Sequence, residues 1–131
     1  MISTEHIQIE GYNLHLNSVG RGKGLAIFYR RLEFQPKIIL KSENLQISKL
    51  SGDQVDIVSI YRSYEGSQTE LIAKIKENTS QTKTTLLVGD FNLCAVEDNS
   101  STLSTGLVEM GYNQLVSQPT HIRGLNYIVC K

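Results

Sequence analysis

The sequence predicts one mixed α/β (α+β) domain, on three observations. Apolar residues recur with period two, or in short runs rich in β-branched residues, through residues 14–16, 25–29 and 55–61. That is the pattern of half-buried and buried strands. A capping box, Ser67-Gln68-Thr69-Glu70, opens a stretch in which Leu71, Ile72 and Ile75 return at helical spacing. Then Thr85-Leu86-Leu87-Val88-Gly89-Asp90-Phe91-Asn92 reads as a buried strand stopped by glycine, with a carboxylate and an amide just beyond it.

Composition bounds the rest. A chain of 131 residues, 40% hydrophobic, is long enough for one domain with a real core. Thirteen basic residues balance thirteen acidic ones, so nucleic-acid binding by bulk charge is not supported. Arg21, Lys23, Arg30 and Arg31 form the one basic concentration. It reads as a phosphate-facing rim or, by default, a solvated surface. Cys94 and Cys130 form no CxxC pair and no disulfide framework. With no signal-like N-terminus and no membrane-length apolar run, the expectation is an intracellular protein.

Taken in order, Ile7 and Ile9, then Leu14 and Leu16, predict one or two half-buried strands around Gly11. The glycine-rich stretch 20–24 lacks the spacing of a phosphate loop and reads as a hairpin connection. Residues 25–29 predict a central strand paired with the strand before it. Pro36 breaks the pattern, residues 38–40 give a short strand, and Leu45, Ile47 and Leu50 a weaker one. Gly52-Asp53 is a turn. Residues 55–61 form a strong strand, the Ser67 helix fades near Asn78, and the motif strand follows. Leu103, Leu107, Val108 and Met110 predict a second helix ended by Gly111 at C′ and weakened by Gly106. Leu115-Val116 and residues 127–129 are the last strand candidates.

Polar chemistry at the carboxyl end of a strand is where open α/β sheets carry their sites. In an extended segment Asp90 and Asn92 point the same way, one as base or metal ligand, the other as a donor to a phosphate oxygen. The same spacing fits a plain Asp-Phe-Asn turn after a core strand, and by itself favours that turn.

In this order Gly24-Leu25-Ala26-Ile27-Phe28, Val58-Ser59-Ile60-Tyr61-Arg62-Ser63, Val88-Gly89-Asp90-Phe91-Asn92, Pro119-Thr120-His121 and Gly124-Leu125-Asn126-Tyr127-Ile128 resemble the endonuclease/exonuclease/phosphatase superfamily, with its DNase I-like fold. Residues 11–24 look like endonuclease domains of mobile elements, of Helitron or retrotransposon type. The resemblance implies part of a four-layer α/β/β/α sandwich and hydrolysis of phosphodiester bonds, usually with Mg²⁺ or Mn²⁺. It implies Asp90 as the group that positions or deprotonates the attacking water, and Asn92 as the amide on the phosphate. Tyr61 would be the strand-end tyrosine near the scissile bond, with Arg62 and Asn92 binding substrate. DNA is the implied partner.

Departures from the family pattern change the expectation. An Asn and a metal-binding Glu stand upstream in the family, and neither Glu5 nor Glu10 matches the latter. The family's late Leu-Asp is here Leu125-Asn126, which cannot supply the charge that orients a histidinium. No Ser-Asp-His segment closes the chain, and His121 does not replace its histidine. Asp90 is the nearest metal candidate but alone makes a poor Mg²⁺ site. The sequence therefore predicts a truncated relative, inactive by itself, with weak or absent metal binding. It also predicts marginal stability and self-association through unpaired sheet edges. A noncatalytic binding module or a phosphatase of the same fold are the alternatives.

Overall fold

A computed structural model describes residues 8–20, 22–93 and 101–117, together with the strand at 127–130. Among the described residues eight strands and two helices follow the order β1 Asn13–Gly20, β2 Lys23–Tyr29, β3 Gln35–Lys41, β4 Leu45–Ser51, β5 Val55–Arg62, α1 Gln68–Asn78, β6 Thr84–Asp90, α2 Thr102–Glu109, β7 Asn113–Gln114 and β8 Tyr127–Cys130. β1 and β2 form a two-stranded antiparallel sheet. The larger sheet has six strands in the order β3-β4-β5-β6-β8-β7. Within it only β5 and β6 run parallel, joined through α1.

Helix α1 begins where its sequence says. The Ser67 hydroxyl accepts from the Glu70 amide at 3.1 Å, satisfying one of the donors a helix start leaves over. Leu71 and Ile75 are buried beneath it. Helix α2 ends in a glycine cap: Gly111 takes φ +86° and donates to Val108, and Tyr112 donates to Leu107. The two helices interlock. Gln68 Oε1 accepts from the Leu103 amide at 2.8 Å, and a Cβ on Gly106 would come within 2.4 Å of Ile72. The glycine that weakens α2 locally is the point at which α1 approaches it.

One face of the six-stranded sheet packs on the helices through Leu45, Ile47, Val58, Ile60 and Leu87 against Leu71, Ile75, Leu103 and Leu107. The other face meets the β1–β2 hairpin, where the Asn17 amide donates to the Leu40 and Ile47 carbonyls. The described residues thus form three layers: helices, large sheet, small sheet.

Several expectations need correction. Ile9 belongs to a turn closed by Tyr12 N donating to Ile9 O, with Gly11 at φ +82°, so no strand precedes β1 there; Ile7 lies outside the described residues. β2 does pair with β1, but among the described residues that is its only partner, so it is not central. Pro36 lies inside β3 instead of breaking it. β3 is the edge of its sheet, and an edge strand can lose a donor on its open side. β4, read as the weaker segment, is buried at four consecutive residues, 45–48, because both its faces are covered. Alternation fails as a signal when neither face meets water. The short strand near residue 115 is Asn113–Gln114, not Leu115-Val116.

Candidate functional site

The carboxyl ends of β5 and β6 build the site. Their parallel register sets Tyr61 beside Asp90, and neighbours in register share one face of a sheet. Both are half-buried. One rung earlier, Ile60 faces Gly89. Gly89 holds φ +151°, and a Cβ there would come within 1.8 Å of the Ile60 carbonyl oxygen. Only glycine allows β6 this close approach immediately before the carboxylate.

Beyond Asp90 the chain turns. Asp90 Oδ1 accepts from the Asn92 amide at 3.1 Å, Phe91 between them is fully buried, and Asn92 takes φ 49°. The segment is therefore an Asx-type turn anchored by a core phenylalanine. The two side chains are not brought together by extended alternation, as the sequence spacing assumed. A left-handed residue in the position of Asn92 re-aims its side chain. Asn92 Nδ2 donates to the Arg62 carbonyl at 2.5 Å, tying the turn back to the end of β5.

Arg62, expected to contact substrate, is 3% exposed, a burial that does not fit that role. Its Nε donates to Phe91 O at 2.9 Å and its Nη1 to Gly66 O at 2.6 Å. Longer contacts of 3.4 Å reach Tyr64 O from Nη1 and Asn92 O from Nη2. Asn126, the remaining expected site residue, lies outside the described residues, as do Cys94 and His121.

Sequence reasoning missed the pair that fixes the top of β5. Ser63 Oγ donates to Asn44 Oδ1 at 2.8 Å, and Ser63 N to Asn44 O at 3.0 Å. No spacing announces it, since the two are joined only by the β4–β5 register. Gly66 was the one available signal: a Cβ there would meet Asn44 O at 2.5 Å and Arg62 Cγ at 2.6 Å.

The basic concentration does not form one rim. Lys23 opens β2 and pairs with Glu43 at 3.2 Å, at the end of the large sheet that carries Asp90. Arg30 and Arg31 follow the other end of that seven-residue strand, about 20 Å away at the usual rise per residue. There Arg30 lies over the Tyr12 ring and Arg31 pairs with Glu33. Arg21 lies outside the described residues.

Among the described residues no three His, Cys, Asp or Glu side chains gather to hold a metal ion. Mg²⁺ takes six oxygens in near-ideal octahedral geometry. Asp90, with one oxygen engaged by the Asn92 amide, does not meet that demand alone.

Two stacked sheets with helices on the larger one match the fold of solved endonuclease/exonuclease/phosphatase structures, the DNase I-like fold. The endonuclease domain of TRAS1, a telomere-specific non-LTR retrotransposon, superposes with TM-score 0.61 at 16% identity, over 93% of this chain and 66% of that one. An endonuclease/exonuclease/phosphatase family protein from Leptotrichia buccalis C-1013-b gives 0.57 at 15%, over 93% and 61%. D. rerio TDP2 complexed with single strand DNA product gives 0.54 at 13%, over 92% and 62%. At these identities the likeness is one of fold, and the chain spans 61–66% of the length of these structures. No protein-family model and no curated protein matches the chain.

Proposed function

We propose that the chain, as a single unit over residues 1–131, is a remnant of a mobile-element endonuclease domain of the phosphodiester-hydrolysing type, and that it does not turn over by itself. The observation that carries this reading is the rung Tyr61–Asp90 at the end of the parallel pair, with the Asn92 turn locked beside it. In an intact domain the Asp90 carboxylate would accept a proton from, or orient, an attacking water. The Asn92 amide, with one hydrogen committed to Arg62 O, has a second to offer a phosphate oxygen. Tyr61 would donate from the neighbouring strand.

Two features favour an inactive form. The first is asparagine at position 126, where the resemblance implies aspartate, and the second is the lack of a match to the family's metal-binding Glu at Glu5 or Glu10. Mg²⁺ or Mn²⁺ would be the cofactor of the intact domain. DNA is the proposed partner; the TDP2 relative of this fold is described with a single-strand DNA product, and the TRAS1 relative as an endonuclease domain. A noncatalytic DNA-binding role would use the same surface.

The test is a nicking assay on supercoiled and abasic plasmid with Mg²⁺ or Mn²⁺, run beside Asp90→Ala. The expected result is no cleavage that depends on Asp90. Turnover that the substitution abolishes would show a working nuclease and overturn the remnant reading.

A further inference from the structure

Arg62 is the one described charged side chain whose donors converge on the turn carrying Asp90 and Asn92. The β5–β6 pairing runs up to the Tyr61–Asp90 rung, and the turn follows it directly. Buried carbonyls need donors. The Arg62 guanidinium supplies them: Nε to Phe91 O at 2.9 Å, with Nη2 toward Asn92 O at 3.4 Å. Nη1 reaches the opposite way, to Gly66 O at 2.6 Å, one residue before the cap of α1. Asn92 Nδ2 then returns a bond to the Arg62 carbonyl, closing a reciprocal lock. A planar fork with several donors can serve four carbonyls, those of Phe91, Asn92, Tyr64 and Gly66; a lysine ammonium on a flexible stem cannot hold that pattern.

We propose that Arg62 is a positioning residue: its buried guanidinium holds the Asp90–Asn92 turn in the left-handed geometry that presents both side chains to a phosphodiester. The presentation to a phosphodiester rests on the proposed function; the holding of the turn does not. Without the fork, Asn92 has less to keep it at φ 49°, a conformation uncommon outside glycine. The Asp90 carboxylate then loses its fixed partner, the Asn92 amide.

The experiment is residue-resolved hydrogen exchange by NMR on the whole chain, comparing the unaltered protein with Arg62→Lys. Exchange at the Asn92 amide should accelerate about tenfold or more, the cost of one charge-assisted bond. Amides of β4 and α1 should change less than the turn does. An equal acceleration everywhere would make Arg62 a merely structural residue, and no change at Asn92 would overturn the proposal outright. Should the variant fail to fold, a through-hydrogen-bond coupling between Arg62 Nε and the Phe91 carbonyl in the unaltered protein decides; its absence overturns the lock, its presence supports it. A single-stranded DNA oligonucleotide is then added to the unaltered chain. If no shift appears at Asp90 or Asn92, the nuclease-derived reading falls, whatever the exchange data say about Arg62.

Discussion

The two faces of the six-stranded sheet are both buried, but by different chemistry. Under the helices the contact is apolar: Ile60, Leu87, Leu71 and Leu103 are all at 0% exposure. Against the β1–β2 hairpin, Asn17, Gln46 and Ser48 are equally buried, and hydrogen bonds join the sheets. Asn17 Nδ2 donates to Leu40 O, Ile47 O and Ser48 Oγ, and His15 Nε2 meets Ser48 Oγ at 2.9 Å. The apolar face depends on volume and tolerates swaps that conserve it. The polar face depends on partners, because an orphaned buried group costs its full desolvation. Burial alone therefore does not tell which substitutions a layer will accept.

The largest effect should come from the helical face. Leu87→Ala deletes a fully buried side chain at the centre of the sheet and should cost about 2–5 kcal/mol in urea unfolding. A cost under about 1 kcal/mol would mean that this layer can collapse around the cavity and is not the principal core.

Asn17→Ala should cost about 1–3 kcal/mol, by stripping donors from the Leu40 and Ile47 carbonyls. Asn17→Leu sharpens the contrast. If hydrogen bonds hold the sheets together, leucine restores nothing; if volume does, it recovers most of the loss.

The smallest effect concerns pH. Burial pushes His15 below its ordinary 6.5, so the folded protein favours the neutral ring. Ser48 Oγ accepts from Asn17 and has a hydrogen that it can donate to Nε2 when the neutral ring carries its proton on Nδ1. The unfolded chain takes up the proton first, so this contribution is complete above pH 6.5 and shrinks as pH falls below it. The urea midpoint should drop modestly between pH 7.5 and 5.5, and His15→Gln should flatten that part of the profile. A midpoint that rises on acidification would reverse the assignment of a neutral ring.

The contrast between the faces also explains what could be read beforehand. Ser67 at the start of α1 and Gly111 at the end of α2 were legible because capping is a local bargain between neighbours in sequence. β5 and β6 were legible because β-branched and apolar runs match a strand buried under helices. β4 was underread: Gln46 and Ser48 look like solvent-facing positions until a second sheet covers them. In the site, the turn at Asp90 and Asn92 was legible as one of two alternatives. The burial of Arg62 was not, since an arginine at a strand end gives no sign of which way it faces.

Sequence by itself determined both limits of α1, the glycine end of α2, the hairpin connection between β1 and β2, and the place where a strand hands over to polar chemistry, because each depends on residues within a turn or two of one another. Tertiary structure decided that Asn17 stitches two sheets and that Tyr61 stands beside Asp90. It also decided that the guanidinium of Arg62 turns inward to carbonyls some thirty residues away. Those outcomes follow from strand order and register, which bring distant residues within bonding distance and leave no periodic trace in the chain.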